Sequence, residues 1–255
     1  MHLILFIILL ITLPVITCAT EGTQVHLDKA PLDVTDKASL QRGAGLFMNY
    51  CLGCHSLQYM RYNRMAKDID IVNKDGQVNE QLLKENLIFS DAKLADPIRS
   101  AMPPEKAKVW FGVAPPDLTL TVRVRGADWL YTYLRSFYKD SKRPWGTNNL
   151  IFPDVAMPNV LLPLQGEQHP VYRVVHKAGS SGAERVIDNL LLIDNGTMTT
   201  PQFNRAVADI VNFLAYVSEP ERQERQYIGL WVIVYLLVLL MLLYSLKEEY
   251  WKDIK

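Results

Sequence analysis

Apolar residues gather at the two ends of this chain and thin out between them. Leu3 to Ile16 is almost wholly apolar and runs into the small residues Thr17-Cys18-Ala19, the layout of a secretory signal peptide over residues 1–19. Only the α-amino group and His2 precede that run, so retention as an anchor is the alternative to cleavage. Cys18 stands alone there, and Thr17 disfavours lipidation at it. The second block, Ile228 to Leu246, is about 19 residues without a charge, enough to cross a bilayer as a helix. Tyr227 and Trp231 border one end and Tyr244, Tyr250 and Trp251 the other, as interfacial aromatics do. A transmembrane helix is expected over residues 226–246, with 247–255 as a tail. Lys247, Lys252 and Lys255 nearly balance Arg222 and Arg225, so orientation rests on the leader, which sends the middle of the chain out of the cytoplasm.

Two stretches between these blocks repeat at helical spacing. Ser39 is placed to cap a helix through Leu40, Gly43, Ala44 and Phe47. Thr200-Pro201 reads as a cap and first helical residue, followed by Phe203, Val207, Ile210, Val211 and Leu214 on one face, with Ser218-Glu219-Pro220 as the stop. These stretches bound a domain over residues 39–221, with residues 20–38 as an N-terminal extension. Inside it lie loops rich in proline and glycine: Met102-Pro103-Pro104, Gly112 to Asp117, and Phe152 to Pro163. Strand alternation is weak, and a short hairpin of Tyr172 to His176 and Val186 to Ile193 across Gly179-Ser180-Ser181-Gly182 is its best expression. Asn195-Gly196-Thr197 fits a glycosylation acceptor but reads better as a turn. The mainly helical pattern agrees with all of this.

Charge narrows the partners. With 27 basic and 27 acidic residues the chain has no field suited to nucleic acid. The run Asp68, Asp70, Asp75 and Glu80 could steer a basic partner, but Lys67 and Lys74 interrupt it, and a solvated face explains it better.

The chemistry sits in Cys51-Leu52-Gly53-Cys54-His55. Two thiols three positions apart, followed at once by histidine, read as attachment of one covalent haem c, with each thiol forming a thioether and His55 binding the iron. A thioredoxin-like dithiol would need a βαβ context that is not evident here, and a zinc site would need further Cys or His donors. The two flanking helices then resemble the class I cytochrome c arrangement, in which Gly43 and Phe47 cross against Phe213 and Tyr216. Loop insertions separate them, and one C-terminal membrane helix follows.

A sixth ligand on the iron would make the site an electron carrier, and an open position would make it a small-molecule site. The candidates are His26, His169, His176, Met60, Met65, Met102, Met157 and Met198. Met60 and Met65 lie too close to His55 in sequence, and Met198 is better placed to pack. Met102 and Met157 each precede a proline in an irregular stretch that could present a thioether.

From Gln41 onward the chain resembles the cytochrome c1 family, the haem subunit of ubiquinol:cytochrome c reductase. The resemblance is carried by Cys51 to Tyr62, Pro115-Pro116-Asp117-Leu118, Arg123-Val124-Arg125-Gly126-Ala127-Asp128-Trp129, Ala156-Met157-Pro158, and Val217-Ser218-Glu219-Pro220-Glu221 before the membrane helix. It implies Met157 as the sixth ligand, Arg125 as the partner of a haem propionate with Arg123 as the fallback, and Pro116 and Tyr62 in the haem pocket. Gly126-Ala127-Asp128 is shorter than the family's glycine stretch, and Trp129 stands where a tyrosine is frequent. The resemblance further implies partners: cytochrome b, a Rieske iron–sulfur protein as donor and a cytochrome c as acceptor, in a dimeric complex of a bacterial cell membrane with the haem on the periplasmic side. A free-standing cytochrome c serving a terminal oxidase, or a haem enzyme with an open iron position, are the competing expectations.

Overall fold

The computed structural model describes residues 26–176 and 183–254. The apolar leader with Cys18, and the Gly179-Ser180-Ser181-Gly182 turn, lie outside the described residues. In chain order the elements are α1 (Lys37–Tyr50), β1 (Leu57–Arg61), α2 (Tyr62–Asp68), α3 (Glu80–Asn86), β2 (Pro97–Ile98), α4 (Pro104–Phe111), α5 (Thr121–Arg125) and α6 (Ala127–Arg135). There follow β3 (Phe137–Lys139), β4 (Thr147–Asn149), α7 (Leu162–Gln165), β5 (Gly166–His176), β6 (Ala183–Asn195), α8 (Thr200–Ser218) and α9 (Arg222–Tyr250). The strands pair only two by two, β1 with β2, β3 with β4 and β5 with β6, all antiparallel. Helices and loops therefore build the core.

That core centres on the crossing of α1 and α8. Leu40, Ala44, Phe47, Val207, Val211 and Phe213 are wholly buried there. A Cβ on Gly43 would fall 2.0 Å from the carbonyl oxygen of Asp209, so only glycine lets the two backbones come this close. One turn on, the rings of Phe47 and Phe213 meet at 5.9 Å, and Phe213 lies 6.3 Å from Tyr216. The four residues that the class I cytochrome c resemblance sets against one another form one contact.

The helix ends differ by a few residues from the sequence expectation. Asp36, not Ser39, caps α1, its side chain accepting the Ser39 N–H at 3.0 Å. The stretch Asp36-Lys37-Ala38-Ser39 holds two cap-competent residues, and the earlier one frees the other for a different task. Ser39 Oγ donates to the buried Asp209 carboxylate at 2.7 Å, and Arg42 reaches the same carboxylate through Nε at 2.7 Å and Nη2 at 3.0 Å. A buried carboxylate needs such donors to remain charged. Thr199, not Thr200, is the cap of α8, with its N–H donating to Gln202 Oε1 at 2.9 Å.

The segment before α1 is strapped onto the domain. Asp28 N–H donates to Thr132 Oγ1, Ala30 N–H to Asp128 Oδ1 and Asp33 N–H to Asn212 Oδ1. The hairpin β5–β6 is longer than its weak alternation suggested, with bulges that shift its register twice. Its outer residues are exposed on both faces, so no alternating pattern was required of them. Gly196, just past the end of β6, packs closely at the base of the hairpin, where a Cβ on it would meet the Leu164 carbonyl oxygen at 2.3 Å.

Helix α9 stands apart. Its 29 residues include an apolar window of mean hydropathy 2.5 with none of it buried against the chain, and about 43 Å of helix exceeds a hydrocarbon core of about 30 Å. Polar side chains secure its root. Glu219, between α8 and α9, receives Arg123 of α5 at 3.9 Å and also Arg225 of α9. Glu221 receives Arg64 Nη2 at 2.6 Å, while the same guanidinium donates through Nε to Asp68. Asp68 also accepts from Tyr216 Oη at 2.8 Å, and Glu80 pairs with Lys84. Two members of the acidic run are thus spent on internal ties.

Candidate functional site

The site begins where α1 ends. Cys51 N–H still donates to Phe47 O, and the N–H groups of Cys54 and His55 both return to Cys51 O, at 3.0 and 2.8 Å. This single turn brings Cys51, Cys54 and His55 together. Both cysteines are free, Cys51 buried and Cys54 half-buried. Burial, reinforced by nearby Cys54, pushes the Cys51 thiol up to about 12, and burial raises Cys54 as well. A redox dithiol needs a lowered thiol pKa, so these neutral thiols argue against that use. Among the described residues there is no group of three or more His, Cys, Asp or Glu that could hold a metal ion.

His55 is held by Pro116, a residue 61 positions further along the chain. Its Nδ1 lies 2.7 Å from the carbonyl oxygen of Pro116. A carbonyl can only accept, so Nδ1 carries the hydrogen and Nε2 keeps its lone pair. Burial pulls the imidazole pKa down, against the opposing pull of the Pro116 carbonyl and Asp117. A neutral ring with its distal nitrogen free and its other N–H fixed on a carbonyl is what a metal-ligating histidine requires. The Pro116 segment is itself stitched down: Asp117 accepts Gln58 N–H at 2.8 Å and Thr119 N–H at 2.9 Å, and Leu118 N–H donates to Ser56 O at 2.9 Å.

A different construction surrounds Met157. The thioether is half-buried against the core, and Tyr133 Oη lies 3.4 Å from its sulfur. Tyr133 stacks on Trp129 at 4.9 Å and 9°, with Phe137 at 5.2 Å and Phe152 at 6.5 Å meeting it edge-on. The Arg125 guanidinium lies over Trp129 at 5.2 Å and Phe152 at 5.9 Å. Asn149, fully buried, ties the loop together: its Nδ2 donates to Tyr133 O, and its Oδ1 accepts from Ile151 and Phe152 N–H. Arg143 then grips Asp154 through both the carboxylate and the carbonyl, each at 2.8 Å.

The sequence candidates therefore separate. Cys51, Cys54, His55 and Pro116 converge at one place, and Arg125 joins the aromatic group around Met157. Arg123 turns instead to Glu219. Tyr62 is a core residue, 1% exposed, whose N–H donates to Asp96 O. Burial, with Asp96 nearby, raises its phenol pKa. Among the other sulfur and imidazole candidates, Met60 and Met65 are buried, Met198 packs on the core, and His169 pairs with Glu167 at 2.8 Å. His26 is exposed, Met102 is half-buried before Pro103, and the His176 side chain lies outside the described residues. Sequence reasoning missed Tyr133 and Asn149. The spacing Trp129, Tyr133, Phe137 at every fourth position was the one signal that could have flagged the first.

Comparison with known proteins is consistent with this geometry. Residues 27–254 match the Cytochrome C1 family. A protein of Allochromatium vinosum named cytochrome c1 is 49% identical, over 96% of both chains. One of Nitrosomonas europaea, named ammonia monooxygenase gamma subunit, is 44% identical over the full length of both. The mitochondrial cytochrome c1 heme protein of Kluyveromyces lactis is 27% identical, over 88% of this chain and 74% of that one.

Proposed function

The chain belongs to the cytochrome c1 family, and from that premise we propose that it relays single electrons within a ubiquinol:cytochrome c reductase, from a Rieske iron–sulfur protein to a cytochrome c. A cytochrome of this family carries a haem and serves a respiratory chain as a membrane-anchored subunit of the bc1 complex, beside cytochrome b. The residues on the page suit that group. When bound, haem c supplies a one-electron iron couple whose potential follows its axial ligands. Cys51 and Cys54, as neutral thiols on one turn, are the tethers, one haem to the chain. His55, with Nδ1 occupied by Pro116, offers Nε2 as one axial ligand, and this hydrogen bond is the observation that carries the reading. Met157 would supply the second ligand to the iron. Arg125, charged and resting on Trp129 and Phe152, is the better partner for a propionate, since Arg123 is engaged with Glu219. Tyr62 serves the pocket from behind, as packing.

The domain over residues 39–221 lies on the periplasmic side of a bacterial cell membrane, after a leader over residues 1–19, and the helix over residues 226–246 crosses once in a dimeric complex. A histidine–methionine pair raises the potential, which suits an acceptor of electrons from an iron–sulfur centre. It also leaves no position for dioxygen, the property that sets this reading apart from an oxygenase-type or peroxidase-type haem.

One experiment tests both points. The full chain, purified from membranes in mild detergent, should bring b-type haem and an iron–sulfur protein with it, and once reduced should not bind carbon monoxide. Met157→Ala should create that binding and lower the midpoint potential. Carbon monoxide binding by the unaltered protein, or an unchanged spectrum in the variant, would overturn the assignment of Met157.

A further inference from the structure

We propose that Tyr133 is a positioning residue that acts on the iron through Met157, its hydroxyl donating a hydrogen bond to the thioether sulfur and so drawing electron density away from it. The inference rests on the reading of Met157 as an axial ligand. Its own support is geometric. Tyr133 Oη lies 3.4 Å from Met157 Sδ, a distance at which a hydroxyl can donate to sulfur. The phenol has little freedom to point elsewhere. Its ring is sandwiched flat against Trp129 and edge-on to Phe137 and Phe152, it is 8% exposed, and its carbonyl is gripped by Asn149 Nδ2 at 2.8 Å and Ser136 Oγ at 3.3 Å.

A phenol, with an ordinary pKa of about 10, is an O–H donor across the physiological range. A thioether has two lone pairs. One bound to iron leaves the second for the Tyr133 proton, and a hydrogen bond there lowers the sulfur's capacity to donate charge. Oxidised iron demands more of that charge than reduced iron does. Tyr133 therefore favours the reduced state and raises the potential, in the way that contacts behind a first ligand tune a metal centre.

Tyr131 supplies an internal control. It sits two residues earlier on α6, turned away by the helical period, with the Arg135 guanidinium 4.5 Å from its ring. It shares helix, chemistry and burial with Tyr133 but not the sulfur.

The test uses the full chain, loaded with haem, in detergent. Tyr133→Phe removes one oxygen and keeps the stacked ring. Its midpoint potential should fall, by a few-fold change in the ratio of oxidised to reduced protein, where tenfold corresponds to 59 mV for one electron. The sulfur-to-iron charge-transfer absorption of the oxidised protein should persist but move to longer wavelength, because a freed sulfur donates more readily. Tyr131→Phe should change neither. An unmoved potential and band in Tyr133→Phe would overturn the inference while leaving Met157 as ligand. Survival of the same band in Met157→Ala would instead overturn the reading on which it rests.

Discussion

The two sides of the candidate haem site are built from different materials. The His55 side is local and fixed by backbone: five consecutive residues supply thiols and imidazole, a single turn aligns them, and a carbonyl of Pro116 locks the ring. The Met157 side is remote and fixed by side chains. A thioether about a hundred residues further along is held by a tyrosine, an aromatic stack and one buried asparagine. The contrast teaches that the His55 group is tolerant of changes elsewhere in the fold, while the Met157 group depends on them.

Gly43→Leu should have the largest effect and should erase the contrast. A Cβ there would fall 2.0 Å from the Asp209 carbonyl oxygen, so α1 and α8 must part and both sides lose their frame, at about 4 kcal/mol or more. Denaturant unfolding of the solubilised full chain, followed by haem absorbance, should show a collapsed midpoint. Asn149→Ala should divide the two sides. Leaving the Tyr133 carbonyl and the Ile151 and Phe152 amides without their buried partner should cost about 3 kcal/mol, and the variant should keep covalent haem and histidine ligation while losing the thioether signature in its absorption spectrum. Asp117→Ala is the counterpart on the His55 side. It removes two backbone anchors of the Pro116 segment, at about 1–2 kcal/mol, and should alter the histidine–iron stretching frequency with the thioether band intact. If Asn149→Ala and Asp117→Ala disturbed both bands alike, the division between the two sides would be wrong.

The same contrast decides what the sequence could tell. Cys51 to His55 was legible because its chemistry is contiguous, and the α1–α8 crossing because helical period marked the two helices while resemblance to the class I cytochrome c arrangement set Gly43 and Phe47 against Phe213 and Tyr216. Spacing favoured Met157 over Met102 without deciding between them, since a loop carries no period, and the family resemblance completed the choice. Asn149 was invisible for a related reason, its partners being amides in an irregular turn, and for Tyr133 the spacing from Trp129 to Phe137 marks an aromatic row but not the sulfur 24 residues away. The cap of α1 slipped from Ser39 to Asp36 because the chain offered two equivalent caps and the choice was made by Asp209, 170 residues from Ser39.

Glu219 has a mechanical consequence. Helix α8, about 28 Å long, rises from this residue as a lever, and Pro220 marks its fulcrum. With Arg123 of the domain and Arg225 of the membrane helix both seated on one carboxylate, the fulcrum is braced from both sides. A tilt of about 5° at the base would swing the far end by about 2 Å, a displacement that electron tunnelling, exponential in distance, would register directly. On the electron-relay reading proposed above, the brace at Glu219 would act as a stop on that swing and hold the electron's path length steady.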